Sequence, residues 1–246
     1  MSVHGRAAAA LVRAVPDRIA RKLFQLWIVQ TADAAEAPVS LRRLLELDAD
    51  LAWQIDRLAI AYDGGVHAKH RLMRYHDFFV ERVHEGERVL DVGSGKGELA
   101  HDLATRASAS VVGIDVDPGH LAFARERYRH ERLEFVEANA LETLPEGPFD
   151  VVILSNVLEH IAPRVELLVA LRERTRASRF LIRVPLYSRD WKIPLRRELG
   201  LPYYSDPTHE IEHTPDELRD ELRRAGLELT ELVVNWGEIW VEARPA

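Results

Sequence analysis

The sequence predicts an α/β protein whose sheet is mostly parallel and is preceded by a helical segment. From residue 88 onward, apolar runs typical of strands alternate with segments in which apolar residues have helical spacing. Such alternation is typical of a parallel sheet with helices on both faces. Before residue 85 the chain shows helical spacing and no convincing strand. We therefore expect a helical extension over residues 1–85 and an α/β domain over residues 86–246.

The composition excludes several classes of protein. The chain has 246 residues, of which 47% are hydrophobic and 30% charged, as expected of a globular protein. It has no cysteine, which excludes disulfides, thiolate metal ligands and cysteine nucleophiles. The formal net charge of -7 argues against nucleic acid as a partner, because phosphate binding relies on Lys and Arg. No apolar run is long enough to span a bilayer, so we expect no membrane insertion and a cytoplasmic location.

Three helices are expected before the first strand. Residues 18–30 form an amphipathic pattern, and its apolar face is expected to pack on its own domain or on a second subunit of a homodimer. Contact with a membrane surface is the alternative. Residues 41–61 have helical spacing, with Ser40 as the expected N-cap. Residues 63–65 break this pattern, and residues 70–83 are expected to form the third helix.

The most informative segment is VLDVGSGKGELA, residues 89–100. A strand-like run passes Asp91, reaches three alternating glycines and continues into a helix that begins near Glu98. Glycines at such a turn let the backbone approach a ligand, and the free N–H groups of the following helix point toward it. The third glycine comes one residue earlier than in the dinucleotide fingerprint G-x-G-x-x-G. Glu98 occupies the position that this fingerprint reserves for its third glycine. The segment therefore indicates a site for a nucleotide-type ligand.

The remaining elements have clear start signals. Strands are predicted at residues 111–116, 133–136, 149–154 and 179–185, and two more surround residues 235–237. Asp117 and Pro118 have the N-cap and first-turn positions of a helix that ends near residue 128. Residues 163–174 are expected to be helical. Thr214 and Glu217 form the capping box of a last helix that ends before residue 226.

Polar residues follow the predicted strands at the sheet edge where ligands of parallel sheets bind. Asp115 ends the second strand and is placed to accept hydrogen bonds from ribose hydroxyls. Asn139 follows the third strand, and Ser155 and Asn156 follow the fourth. Asp115 and Asn139 could each simply cap a turn. Their joint position at successive strand ends favours a ligand site.

Four segments resemble the motifs of the class I S-adenosylmethionine-dependent methyltransferases. They are VLDVGSGKGELA, VVGIDVDP, LEFVEANALE and FDVVILSNVLEHI. The resemblance covers residues 86–246 and implies a Rossmann-like three-layer α/β/α fold. It further implies a mostly parallel seven-stranded sheet with an antiparallel C-terminal strand. The implied cofactor is S-adenosylmethionine, with S-adenosylhomocysteine as its product.

The resemblance also implies which residues contact this cofactor. They are Asp91, Gly93, Ser94, Gly95 and Gly97 near the methionine moiety, Asp115 and Val116 near the ribose, Asn139 and Ala140 near the adenine, and Ser155 and Asn156 near the sulfonium. Many relatives have aspartate where this chain has Asn139, but an amide oxygen can also accept a hydrogen bond from the adenine amino group. A basic residue before the first strand is expected to meet the methionine carboxylate, and Arg71 or His70 fits that position.

Histidines are the candidates for the base that an alcohol acceptor needs to lose its proton. His209 is the preferred candidate, and His160 and His213 are the others. His160 could equally pack or cap a helix, and His213 could be a simple loop residue. The run DPTHE at residues 206–210 combines carboxylates with an imidazole, as divalent ions require. Acidic loops are usually solvated, so no metal site is assigned.

The expected reaction is methyl transfer to a small-molecule acceptor, at a hydroxyl of a sugar, a glycan or a natural-product intermediate. The long connection at residues 187–213 is expected to select the acceptor. It contains Trp191, Tyr203 and Tyr204 together with arginines, which suit a sugar ring beside an anionic group. The alternatives are an N-methyltransferase acting on an amino-sugar or another amine, and a non-catalytic subunit that retains the cofactor site.

Overall fold

The computed structural model describes residues 14–145 and 147–246, so the first part of the expected helical extension lies outside them. The chain divides into two compact units. Unit 1 comprises Met1–His67 and Leu195–Pro202, and unit 2 comprises Ala68–Pro194 and Tyr203–Ala246. The domain boundary predicted near residue 85 stays a prediction.

Unit 1 contains two long helices, α1 (Asp17–Asp33) and α2 (Ala37–Tyr62). Helix α1 confirms the helix predicted at residues 18–30. The prediction that Ser40 caps α2 is wrong, because the helix begins three residues earlier. Pro38 lies in the first turn of α2, where its missing N–H costs nothing. The buried Ser40 hydroxyl instead donates to the Ala35 carbonyl at 3.3 Å.

The apolar face of α1 is open in the part of the chain that the structure describes. Leu23, Leu26 and Trp27 remain 57%, 53% and 51% exposed. The only buried residue of this helix is Thr31. The expected packing of this face on its own domain or on a second subunit stays a prediction.

Unit 2 begins with two short helices, α3 (Lys69–Leu72) and α4 (Asp77–Val80). The prediction of one continuous helix over residues 70–83 is wrong. Arg74 between them has φ +50°, a left-handed conformation that interrupts a right-handed helix. The break turns the buried Tyr75 toward the C-terminal strand, where its hydroxyl donates to Glu238.

The sheet of unit 2 has seven strands. They are β1 (Arg88–Val92), β2 (Ser110–Asp115), β3 (Leu133–Glu137), β4 (Val151–Ser155), β5 (Arg179–Pro185), β6 (Leu227–Asn235) and β7 (Glu238–Pro245). Their order is β3-β2-β1-β4-β5-β7-β6. The pairs from β3 to β5 are parallel, whereas β7 runs antiparallel to both β5 and β6. This arrangement confirms the predicted Rossmann-like sheet.

Helices connect the strands. They are α5 (Glu98–Arg106), α6 (Pro118–Arg127), α7 (Arg164–Thr175), α8 (Lys192–Glu198) and α9 (Pro215–Arg224). The predicted N-cap of α6 is confirmed, because Asp117 accepts from the backbone N–H of Gly119 at 2.7 Å. The predicted capping box of α9 is confirmed at Thr214 and Glu217. Among the described helices, none has the length and apolar character needed to cross a membrane.

Apolar residues on both faces of the sheet produce the three layers. Alternate residues of a strand point to opposite faces. Leu90 of β1 belongs to a core cluster with Leu167 of α7 and Leu218 of α9. Its neighbour Val89 belongs to a second cluster with Leu103 of α5. The sheet is therefore buried on both sides, as its apolar strands predict.

Candidate functional site

The glycine-rich loop between β1 and α5 is hydrogen-bonded to the end of β2. The Ser94 N–H donates to the Ile114 carbonyl at 2.9 Å. The Gly95 N–H donates to Asp115 Oδ2 at 2.8 Å. Ser94 itself is buried, and its side chain lies beside Gly113 of β2 rather than in open space. The loop thus presents its backbone to the sheet edge where ligands bind.

Two glycines of this loop serve different purposes. Gly97 has φ +84°, and a Cβ built on it would lie 2.5 Å from the Phe135 ring. That position requires glycine for packing as well as for backbone conformation. Gly95 also has positive φ, at +54°, but a Cβ there would meet no atom within 4 Å. The space beside Gly95 is open, as a ligand-facing position requires.

Asp115 at the end of β2 holds the loop as well as facing the ligand edge. Its Oδ2 accepts from Gly95, and its Oδ1 accepts from the backbone N–H of Asp117 at 2.8 Å. Each carboxylate oxygen has a second lone pair, so ribose hydroxyls can still donate to it. The turn-capping role that the sequence left open is therefore observed, and it is compatible with ligand binding.

A cleft of about 460 Å³ opens beside this loop. Five residues expected at the cofactor line it, namely Gly93, Asp115, Val116, Asn139 and Ala140. Val157 and Ile161 from the loop after β4 form the opposite wall. Most of the lining is apolar, with few polar groups, as is usual for a small-molecule site. The structure therefore brings the ends of β1, β2, β3 and β4 together around one cleft.

Asn139 uses its side chain locally. Its Oδ1 accepts from the Leu141 N–H at 3.1 Å, and its Nδ2 donates to Glu142 at 3.0 Å. This Asx turn fixes the wall formed by Asn139 and Ala140. Its adenine contact stays a prediction.

A buried polar cluster lies at the carboxyl ends of β1, β4 and β5, and sequence reasoning found only part of it. We use this name for Tyr75, Asp91, Asn156, Arg183 and Glu238. Asn156 donates to Glu238 at 3.3 Å, and Arg183 Nε lies 3.9 Å from the same carboxylate. The Arg183 guanidinium stacks 4.0 Å from the centre of the Tyr75 ring. Ser155 precedes Asn156 at the end of β4.

Several polar atoms of this cluster have no hydrogen-bond partner among the described residues. They are Asp91 Oδ2 and the Nε and Nη1 atoms of Arg183. Burial, and after it the charge of Asp115, raises the pKa of Asp91 to about 7. Burial also lowers the pKa of Arg183, although the charge of Glu238 opposes this. Buried polar atoms without partners are costly, so these atoms are candidates to bind the polar groups of a ligand.

Three cluster members, Tyr75, Arg183 and Glu238, were missed by sequence reasoning. A signal existed for Arg183, because it interrupts the apolar strand RFLIRVP. Tyr75 and Glu238 are separated by 163 positions, so no local pattern reveals their contact.

His209, the preferred base, is buried and oriented by a carboxylate. Its Nδ1 lies 3.1 Å from Glu212 Oε1, and Arg189 holds the other Glu212 oxygen at 2.6 Å. Burial raises the pKa of Glu212, but hydrogen bonds from His209 and Ser205 and the charge of Arg189 outweigh it, and the pKa lies below its usual value. Glu212 is therefore an ionised acceptor, and His209 carries its proton on Nδ1. Its Nε2 remains as the basic atom.

His160 lies next to His209, with ring centres 4.5 Å apart. Its Nδ1 is 2.9 Å from the Thr208 hydroxyl oxygen. Burial, together with the nearby His209, lowers the pKa of His160. His160 belongs to the loop after β4, whose residues Val157 and Ile161 line the cleft, and His209 lies beside it in the long connection. Neither histidine is among the residues that line the cleft.

The other histidine and arginine candidates lie in different surroundings. His213 is fully buried, with Nε2 bound to Glu221 at 3.1 Å and Nδ1 out of contact with solvent. It therefore has no ring nitrogen open to an acceptor. His70 Nδ1 lies 3.2 Å from His76 Nε2, and Arg71 is exposed. Neither lines the cleft among the described residues, and their contact with the methionine carboxylate stays a prediction.

The basic residues expected to meet an anionic acceptor have other partners. Arg189 is bound by Glu212. Arg196 of unit 1 is buried, donates to the Leu45 carbonyl and lies 3.4 Å from Asp48. These two arginines therefore stabilise the protein itself rather than offering a free charge.

The parallel sheet, the glycine loop and the acid at the end of β2 define a Rossmann-like domain that binds a nucleotide-type ligand at its switch point. Residues 89–179 match the family profile described as a methyltransferase domain. This segment is therefore similar to a methyltransferase domain, in agreement with the resemblance noted in the sequence.

Named relatives agree with this family. The chain is 36% identical over 141 residues to the ribosomal protein L11 methyltransferase of Ralstonia pickettii, covering 56% of this chain and 42% of that protein. It is 35% identical over 161 residues to the ubiquinone biosynthesis O-methyltransferase of Ruegeria pomeroyi, covering 62% of this chain and 64% of that protein. The chain thus spans between 42% and 64% of the length of these curated relatives.

A solved structure shares the fold. The magnesium protoporphyrin IX methyltransferase of Synechocystis, with bound S-adenosylhomocysteine, aligns with a TM-score of 0.54 at 16% identity. The alignment covers 85% of this chain and 86% of that one. At this identity the likeness concerns the fold alone.

Proposed function

We propose that this chain is an S-adenosylmethionine-dependent methyltransferase that modifies a hydroxyl of a small-molecule acceptor, such as a sugar, a glycan or a natural-product intermediate. The family of residues 89–179 supports the methyl donor. The observation that carries the acceptor chemistry is the basic Nε2 of His209, oriented by Glu212 beside the loop that lines the cleft.

The residues present fit the methyl donor. The cleft of about 460 Å³ has apolar walls for an adenine and a carboxylate, Asp115, for ribose hydroxyls. The open space at Gly95 admits a ligand beside the backbone. The unpartnered Asp91 Oδ2 would accept from the ammonium of the methionine moiety. When bound, S-adenosylmethionine supplies an electrophilic methyl group on a sulfonium.

The protein's own residues would then orient the acceptor and remove its proton. Methyl transfer from a sulfonium needs alignment and exclusion of water more than activation of the leaving group. An alcohol must lose a proton to attack, and a neutral imidazole can receive it. The Nε2 atom of His209 would receive the proton while Glu212 stabilises the resulting imidazolium.

An amine acceptor is the second candidate. It is favoured by the aromatic rings of Tyr187, Tyr203 and Tyr204, which pack together in the long connection at centroid distances of 6.1 and 4.5 Å. Aromatic faces attract cationic groups. A subunit that binds the cofactor without turnover is the less favoured alternative. The cytoplasmic location stays a prediction.

Binding of S-adenosylhomocysteine tests the donor site by titration calorimetry. We expect Asp115→Ala to weaken binding by about 1–3 kcal/mol, because charge-assisted hydrogen bonds to the ribose are lost. Asp117→Ala is the matched control, since Asp117 accepts from Gly119 and His120 at the start of α6 and does not line the cleft. Equal affinity in the wild type and Asp115→Ala would contradict the ribose assignment.

The acceptor class is tested by incubation of the full chain with S-adenosylmethionine and matched pairs of sugars that differ only in a hydroxyl or an amino group. We expect the hydroxyl compounds to gain one methyl group, detected by mass spectrometry. Methylation confined to the amino compounds would favour the second candidate. Cofactor binding without any methylated product across the panel would favour the non-catalytic alternative.

A further inference from the structure

Glu159, His160 and His209, which we call the histidine group, bring three ligand atoms to one place. One atom from each residue lies within 4.8 Å of the other two. Among the described residues this is the one such group of potential metal ligands that the structure contains. Glu159 and His209 are buried, whereas His160 is exposed, so the group is open on one side. The Glu210 N–H donates to the Glu159 carbonyl at 2.7 Å and holds the two segments together.

The surrounding hydrogen bonds leave the same nitrogen basic in both rings. Glu212 Oε1 lies 3.1 Å from Nδ1 of His209 and accepts its hydrogen. The Thr208 hydroxyl donates its hydrogen to Asp206 Oδ1 at 2.6 Å, so its oxygen accepts from Nδ1 of His160. Both imidazoles thus have a lone pair on Nε2. Metal-binding histidines commonly donate their other ring N–H to a carboxylate or another acceptor in this way.

Glu159 adds an independent observation. The residue is fully buried, and its Oε1 accepts from Asn156 at 2.9 Å. Its Oε2 has no hydrogen-bond partner among the described residues. Burial of a carboxylate oxygen without a partner is costly. A bound cation beside two neutral imidazoles would remove that cost.

We propose that Glu159, His160 and His209 bind one divalent transition-metal ion. Two imidazoles and one carboxylate suit Mn²⁺, Fe²⁺, Co²⁺ or Zn²⁺ better than Mg²⁺ or Ca²⁺, which prefer oxygen ligands. Three protein ligands leave further coordination positions open. Sequence reasoning assigned no metal site, because His209 is separated from Glu159 by 50 positions and the run at residues 206–210 alone resembled a solvated loop.

The ion has a consequence for catalysis that rests on the proposed function. A divalent ion lowers the pKa of a hydroxyl that binds to it. An acceptor hydroxyl bound to the ion would then release its proton to solvent water, and in this metal-bound form His209 would be a ligand while water replaces it as the base. Metal binding itself does not depend on this consequence.

The test is a titration of the metal-free full chain with Co²⁺, followed by visible absorption. We expect one equivalent of Co²⁺ to bind, with absorption bands of a nitrogen- and oxygen-ligated ion. Glu159→Gln, His160→Gln and His209→Gln should each weaken binding at least tenfold. His84→Gln is the matched control, because His84 is an exposed histidine outside the group, and it should bind Co²⁺ as the wild type does.

Titration with S-adenosylhomocysteine accompanies each Co²⁺ experiment and reports whether a variant is folded. Glu159 is buried, so His160→Gln, which changes an exposed ring, carries the test if Glu159→Gln does not fold. Absence of saturable Co²⁺ binding in the wild type, or equal binding in His160→Gln, overturns the metal site. If the wild type binds S-adenosylhomocysteine but not Co²⁺, only the metal-site proposal fails. If it binds Co²⁺ but not S-adenosylhomocysteine, only the proposed methyl donor fails.

Discussion

Asp91 shows how a single buried carboxyl can respond to both pH and ligand. Burial raises the pKa of Asp91 to about 7, and the charge of Asp115 adds to the effect. In the unfolded chain the pKa of an aspartate carboxyl is about 3.9. Between these values the folded protein holds a proton that the unfolded chain has lost. The contribution of Asp91 to the free energy of unfolding is therefore largest at low pH and declines up to about pH 7.

Affinity for S-adenosylhomocysteine should follow the ionisation of Asp91. The ligand's ammonium group binds a carboxylate better than a neutral acid, so we expect affinity to rise from about pH 6 to about pH 8. Asp91→Asn should bind more weakly at pH 8 and lose this rise. Asp117→Asn is the control that retains the dependence, because hydrogen bonds from the N–H groups of Gly119 and His120 hold the pKa of Asp117 below its usual value. Titration calorimetry at several pH values measures the affinity for S-adenosylhomocysteine. The same pH dependence in Asp91→Asn as in the wild type would refute the contact between Asp91 and the ammonium group.

Other site residues show why sequence reasoning reaches only part of a site. Asp91 adjoins the glycine motif, and Asp115 ends a recognisable strand. Their place at the ligand edge is therefore predictable from the sequence. Arg183 and Glu238 lie in strands whose pairing puts Arg183 opposite Trp240. Their meeting with Tyr75 depends on tertiary packing between distant segments. A local pattern contains no information on that packing.

At the scale of elements, the strands and helices after residue 88 were predictable because local signals agree with the fold. Helix α5 occupies Glu98–Arg106, as the pattern after the glycine loop indicates, and Thr214 begins α9 with a capping box. The helix predicted over residues 70–83 failed for a tertiary reason. Tyr75 bonds to Glu238 and packs against Trp240 at 5.4 Å between ring centres, which the break at Arg74 permits.

The glycine loop offers a matched pair of substitutions within one element. Gly95 and Gly97 both have positive φ, so alanine at either position incurs about 1 kcal/mol or more of backbone strain. At Gly97 the added Cβ also overlaps the Phe135 ring, which should cost a further ~1–3 kcal/mol. We expect Gly97→Ala to lower the free energy of unfolding distinctly more than Gly95→Ala, measured by urea denaturation. Equal losses would show that the contact with Phe135 does not constrain the loop.

At the scale of the whole molecule, unit 1 and unit 2 differ in how completely they bury their apolar residues. The sheet of unit 2 is covered on both faces. The helices of unit 1 leave many large apolar side chains open, among them Leu23, Leu26 and Trp27 on α1 and Trp53 on α2. Large exposed apolar side chains grouped on one helix, such as Leu23, Leu26 and Trp27 of α1, are typical of an interaction site. The sequence predicted a homodimer through these helices, and that remains a prediction.

We expect the full chain to self-associate through α1, because removal of its apolar face from water is favourable by about 25 cal/mol per Å². Sedimentation velocity at increasing protein concentration should show a dimer. Leu23→Asp and Trp27→Asp should shift the equilibrium to the monomer, because each places a charge on an apolar surface that association would bury. Gln25→Asp adds the same charge at an exposed polar position of α1 and should leave the dimer intact. A monomer at every concentration, or a dimer that survives both apolar substitutions, would exclude α1 as the interface.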